Sequence, residues 1–236
     1  MIQFFHVVLD CYQKAGLPLR EWISNSPLFN KLIKEKNLGP KEESDSVKVL
    51  GLNWCISKDE LSLKVPSIRL DVVTKRSALS NCAKLFDPMG FVNPITIQSR
   101  IFLQKLWRAG YGWDDPISEG LSMEFSKIIE LLMSVTTIAL PRRVVYGRSV
   151  QLHLFSDASN DAFGCCAYMV YEGFSNLVMS KCRVAPVRKF TIPKMELSAV
   201  LMSARLARYL ALAYDKELSI TKITFLDGFY HCSFMG

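Results

Sequence analysis

The chain has 236 residues, half of them hydrophobic, enough for one large or two modest cores, which excludes a wholly disordered protein. Lys and Arg outnumber Asp and Glu by 29 to 22, a formal charge of +7, which favours a polyanion partner without establishing one. No run reaches the about 18 apolar residues of a membrane span, and the apolar opening MIQFFHVVLD lacks a basic leader, so an intracellular protein is expected, cytoplasmic or in a virus-like particle or nucleus.

The seven cysteines are scattered, without a C-x-x-C pair or a neighbouring His at zinc spacing, which excludes a standard zinc site and suits a reducing compartment. His6, His153 and His231 are the only histidines, so a His-based catalytic triad has few candidates.

In chain order, Phe4, Val7, Val8, Cys11 and Ala15 recur at helical spacing until Gly16 and Pro18 stop the pattern. Residues 19–36 predict one helix, or two short ones split by Pro27, and the polar stretch GPKEESDS over 39–46 predicts a linker. In VKVLGLNWCISKDELSLKV, over 47–65, two apolar runs flank Ser57-Lys58-Asp59-Glu60, a β-hairpin pattern. Helices are then predicted over 74–85, 95–109 and 118–135, separated by the turn-rich segments FDPMGFVNP and GWDDP.

After Pro141 the character changes. Strand-like runs over 150–155, 164–171 and 177–184 are followed by a long helical stretch over 193–214 and a fourth strand over 220–226. Acids stand at the end of the first of these strands (Asp157), in the first turn of the helix (Glu196) and at the end of the fourth strand (Asp227). Each acid alone has an ordinary explanation in a turn or at a helix start; their joint occurrence in this order is the informative feature. Clustered carboxylates resist ionising beside one another unless a cation compensates, and Mg²⁺, hard and oxygen-seeking, suits phosphate substrates. Two such ions, held about 3.5–4 Å apart, activate a water and stabilise the leaving oxygen in phosphodiester cleavage. Asp157, Glu196 and Asp227 are therefore the expected metal ligands and catalytic acids.

HLFSDASNDAFGCCAYMVY, SKCRVAPVRKFTIPKMELSAVLMSARLA and ITFLDG resemble the ribonuclease H region of BEL/Pao LTR retrotransposon polyproteins. Upstream, KVLGLNWCISKDELSLKV, TKRSALSNCAKLFDPMGFVNPITIQSRIFLQKLW, GYGWDD and IALPRRV are similar to the part of those polyproteins that links reverse transcriptase to ribonuclease H. The resemblance covers roughly residues 10 to 230. It implies a reverse-transcriptase palm and thumb remnant with a β-hairpin over 1–75 and a helical connection over 76–149. Over 150–236 it implies a C-terminally truncated ribonuclease H-like domain, for an α/β fold class with an α+β N-terminal part and an incomplete mixed sheet. On the same grounds it implies Mg²⁺-dependent hydrolysis of RNA in RNA–DNA hybrids within a larger Pol polyprotein, with Asp157, Glu196 and Asp227 as the first three acids of a four-acid site. The fourth acid and a His-bearing loop would lie beyond Gly236, so the two-ion site is expected to be incomplete here. The third motif also departs from the family's Asp-Ser: Asp227 precedes Gly228.

Lys181, Arg183, Arg188, Lys189 and Lys194, with Phe190 interleaved, form a basic stretch suited to the phosphates of a hybrid duplex, although a solvated loop and strand edge would read the same way. Arg205 and Arg208 read as surface residues. Polymerase chemistry is not expected, because the aromatic-x-Asp-Asp motif of the palm does not occur and Asp114-Asp115 sits between Trp113 and Pro116. Two other functions stay open: a degenerate relic that only binds nucleic acid, and the aspartic peptidase suggested by the name Pao retrotransposon peptidase. The peptidase has no Asp-Thr-Gly or Asp-Ser-Gly to support it.

Overall fold

The computed structural model of the chain describes residues 2–40, 44–64, 68, 72–135, 138–144, 149–188, 190–227 and 231–235. Its backbone packs as two units, Met1–Ser62 with Leu140–Arg142, and Leu63–Ala139 with Arg143–Gly236. Residues 41–43 of the expected linker at 39–46, and residues 145–148 at the end of the expected connection over 76–149, lie outside the described residues.

In the first unit, α1 (Ile2–Lys14) and α2 (Pro27–Glu35) close on a small aromatic core of Phe5, Phe29 and Ile33. Trp22 meets Phe5 edge-on at 4.8 Å and Phe29 meets it at 5.1 Å, arrangements favoured by the ring quadrupoles. The helix expected before Pro27 is absent. Glu21 has a positive φ of 61°, which ends any helical run, and the Trp22 N–H goes to the Leu38 carbonyl at 2.7 Å instead.

The strands β1 (Ser46–Val49), β2 (Leu52–Cys55) and β3 (Glu60–Ser62) form a meander whose second turn is the expected hairpin, extended by β4 (Ala139–Pro141) in the order β1-β2-β3-β4. The first apolar run folds back on itself at Leu50-Gly51, where φ is 48° and 90°. Positive φ at both central residues is the geometry that matches strand twist in a two-residue turn.

The second unit starts with three helices, α3 (Lys75–Ala83), α4 (Asn93–Arg108) and α5 (Glu119–Ser134). A reciprocal cap opens α3: Ser77 N–H donates to Thr74 Oγ1 at 3.1 Å and Thr74 N–H to Ser77 Oγ at 2.8 Å, satisfying two otherwise orphaned groups. Stacked Phe102 and Phe125, 5.3 Å apart, join α4 to α5 within a core of Ala78, Leu106, Ile129 and Leu132.

Five strands and one helix complete this unit: β5 (Ser149–Ala158), β6 (Ala162–Tyr171), β7 (Phe174–Val184), α6 (Ile192–Tyr214), β8 (Ser219–Asp227) and β9 (His231–Met235). The sheet order is β7-β6-β5-β8-β9; β5 and β8 run parallel and the other neighbours antiparallel. Along β5, Val150, Leu152, Leu154 and Ser156 are buried in alternation, as a half-covered strand requires. Val150, Leu152 and Leu154, together with Ala167 and Met169 of β6, meet Leu206, Ala207 and Leu210 of α6. This is the mixed α/β architecture the sequence leads one to expect, with β9 as an added edge strand. Among the described residues no helix is long and apolar enough to cross a membrane.

Candidate functional site

The site follows from the parallel pairing of β5 with β8. Both strands end at the same edge of the sheet, and in open α/β sheets ligands collect outside the carboxyl ends of such strands. Ser156 pairs with Asp227 across the ladder and Asp157 lies one residue further along β5, opposite Gly164 of β6. Asp157 is exposed, and one of its oxygens accepts the Ala158 N–H at 2.7 Å. Gly164 keeps its place because a Cβ there would stand 3.0 Å from the Lys181 carbonyl oxygen.

Asp157 and Asp227 line one surface hollow of 670 Å³, together with Phe163, Cys166 and the start of α4 at Asn93 and Pro94. The third expected acid is not among the lining residues. Glu196 is half-buried on α6 and lies beyond the first turn, because the helix begins at Ile192 rather than Pro193. Two carboxylates are a usable donor set for a hard divalent cation that keeps water and takes phosphate oxygens as its other ligands. Among the described residues, no group of three His, Cys, Asp or Glu side chains stands close enough to hold a metal.

The expected basic residues separate into two places. Lys181 and Arg183 are exposed and two apart on β7, so they share a face, and the Lys181 ammonium sits 5.5 Å from the centre of the Tyr209 ring on α6. Arg188 is exposed in the loop before α6, and Lys194 is exposed in its first turn. Lys189 lies outside the described residues, as do Gly228 and Phe229 after Asp227.

Three thiols line the hollow, Cys165 buried and Cys166 and Cys182 half-buried. Burial pushes Cys165 up to about 11 and raises Cys166 and Cys182 as well. These thiols stay protonated near neutral pH and are poor nucleophiles.

Sequence reasoning missed the contribution of the helical segment before the sheet. Met89, Gly90 and Asn93 all bond to Ser180 of β7: Ser180 N–H donates to the Met89 carbonyl at 2.8 Å, Ser180 Oγ donates to the Gly90 carbonyl, and Asn93 Nδ2 donates to Ser180 Oγ at 2.8 Å. Further along α4, Gln104 Nε2 donates to the Ala185 carbonyl at 2.7 Å. The only sequence signal for this was the Gly90 in FDPMGFVNP, and a loop glycine alone does not say which strand it touches.

The sequence profile described as Pao retrotransposon-like RNaseH-like domain matches residues 74–227, from the cap of α3 to the end of β8. No curated protein matches the chain. Solved structures similar to it include a foamy viral protease-reverse transcriptase in complex with RNA/DNA hybrid, 15% identical over 77% of this chain and 24% of that one, with a TM-score of 0.46. A foamy viral protease-reverse transcriptase in complex with dsDNA is 18% identical over 74% of this chain and 36% of its own, also at 0.46. This chain therefore spans well under half the length of those proteins. By its profile match over most of its length, the chain belongs to the Pao retrotransposon-like RNaseH-like family.

Proposed function

We propose that the second unit is the ribonuclease H-like part of a retrotransposon Pol polyprotein and that it hydrolyses RNA in RNA–DNA hybrids with Mg²⁺. The observation that carries this reading is the pair Asp157 and Asp227, brought to one edge of the sheet by parallel strands and lining one hollow. Asp157 and Asp227 would hold the cation, which when bound supplies an activated water and charge stabilisation for phosphodiester cleavage. The chain's own share is to fix the carboxylates at the strand ends. It also offers phosphate-binding cations beside them, at Lys181 on the same hollow and at Arg183 one turn of the pleat further on.

The test is hydrolysis of a hybrid with labelled RNA by the full chain, and by the chain in its polyprotein context, with and without Mg²⁺. Cleavage that needs Mg²⁺ and falls by at least about 10²-fold in Asp157→Asn and Asp227→Asn is the expected result; cleavage indifferent to both substitutions sinks the assignment. A second reading, nucleic-acid binding without hydrolysis, draws on the position of Glu196 outside the hollow. It predicts salt-dependent binding of the hybrid and no cleavage in either setting.

A further inference from the structure

A second hollow, of 450 Å³, adjoins the first across β7 and is lined by cations from three elements: Arg100 of α4, Lys181 and Arg183 of β7, and Arg205 of α6. Among the described residues its only lining carboxylate is Asp87, each of whose oxygens accepts one backbone N–H of its own loop. Oδ1 accepts the Phe91 N–H at 3.0 Å and Oδ2 the Val92 N–H at 2.9 Å. Among the described residues no carboxylate forms an ion pair with any of the four cations. Four cations against this one carboxylate leave the hollow with an excess of positive charge, which an entering anion would offset.

Two of the four are held in place from the walls. The Arg100 guanidinium donates through Nη1 to the Cys182 carbonyl at 3.3 Å and lies 3.6 Å from the Cys182 sulfur, and Lys181 rests over the Tyr209 ring. A charge held in this way loses less side-chain freedom when a ligand arrives. Arg guanidinium groups also match phosphate oxygens in pairs, which a single ammonium does not.

The position of the hollow sets the kind of anion. It shares Asn93, Phe163, Ser180, Lys181 and Cys182 with the hollow that holds Asp157 and Asp227. A nucleic-acid strand with one phosphate at the carboxylates thus has a neighbouring stretch of its backbone in the basic hollow. We propose that Arg100, Lys181, Arg183 and Arg205 form a binding site for a backbone phosphodiester of the same strand, fixing its path toward the acids. The proposal rests on the nucleic-acid reading above and adds Arg100 and Arg205, neither of which the basic stretch of the sequence contains.

The test uses the full chain, a short RNA–DNA hybrid with a fluorescent label, and EDTA, so that binding is measured with no hydrolysis. The affinity is followed over a series of salt concentrations. Each phosphate that the protein no longer neutralises should lower the salt slope by about 1. Arg205→Gln, at an exposed position, should weaken binding several-fold and lower the slope by about 1, and Arg100→Gln with Arg205→Gln should lower it by about 2. Arg205→Lys should keep the slope and lose part of the affinity. Competition with inorganic phosphate separates a free-anion site from a backbone site: the proposal expects displacement only at concentrations that act as general salt. An unchanged slope in Arg205→Gln and in the double variant overturns the phosphate site, even if Asp157→Asn still abolishes cleavage. Cleavage that no longer depends on Asp157, together with an altered slope, would overturn the catalytic reading and leave the phosphate site standing.

Discussion

Asn93, in the first turn of α4, donates its amide N–H to the hydroxyl of Ser180, in the middle of β7, across 2.8 Å. Ser180 also donates that hydroxyl to the Gly90 carbonyl, so the loop before α4 is fastened to the sheet at one residue. Gly90 has φ of 74°, and a Cβ there would fall on the Ser180 carbonyl. Gly90→Ala should therefore destabilise the second unit by more than about 2 kcal/mol, combining left-handed strain with the clash. Asn93→Ala should cost about 1–2 kcal/mol by leaving the Ser180 hydroxyl short of a donor. Urea unfolding of both variants checks the order; equal stability of Gly90→Ala and the parent chain would contradict the close approach.

Leu154 is fully buried between the sheet and α6. Leu154→Ala should cost about 2–5 kcal/mol, the usual range for removing a buried isobutyl group down to its Cβ and leaving a cavity. Leu154 shares β5 with Asp157, so a fall in hybrid cleavage in this variant should track the fall in folded protein. A melting curve recorded beside the cleavage assay separates the two.

Lys75 is buried, with its ammonium 4.8 Å from the Trp107 ring centre and 5.1 Å from that of Trp113, and it donates to the Tyr111 carbonyl at 2.5 Å. The GYGWDD segment is folded around this cation. Lys75→Ala should cost about 1–3 kcal/mol by removing both cation–π interactions and the charge-assisted hydrogen bond. Its tryptophan emission and near-ultraviolet circular dichroism should change with it, while Lys75→Met should keep the packing and still lack the bond.

Thiol chemistry gives a pH-dependent readout. Burial raises Cys165 from an ordinary 9.0 to about 11, whereas Cys11 is exposed. Iodoacetamide at mildly alkaline pH should label Cys11 early and Cys165 last, as mass spectrometry of partial digests would show. Because the folded chain holds this proton more tightly than the unfolded one, its contribution to stability is fully present below pH 9.0 and declines as pH rises toward about 11. A melting temperature that rises over that interval would contradict the burial of Cys165.

The strands that carry the site were legible because their chemistry is periodic. Alternation along residues 150–156 and 164–171 announces one covered face, and the long Leu, Ala and Met-rich stretch after Pro193 announces the helix that covers it. Where geometry overrode composition, the expectation failed. Leu19, Trp22 and Ile23 have helical spacing, yet Glu21 turns the chain out of it; Leu50 takes a left-handed conformation that a leucine seldom adopts, and so hides a turn. The acids Asp157 and Asp227 were visible as strand ends, and Glu196 falls beyond the first turn because α6 starts at Ile192. Arg100 and Arg205 were invisible as a pair because residues so far apart in the chain meet only through the packing of α4, β7 and α6.

The parallel pairing of β5 and β8 also has a kinetic meaning. β5, β6 and β7 are neighbours in sequence and close with short turns, so they can form early and locally. β8 reaches β5 only after α6 has crossed the sheet, and a long loop must close before the pairing offsets the entropy. Asp157 is thus expected to be in place before Asp227 arrives. In refolding, recovery of anything that needs both acids should lag behind recovery of the β5-β6-β7 meander, and during synthesis the ribosome must have released β8 before the two meet.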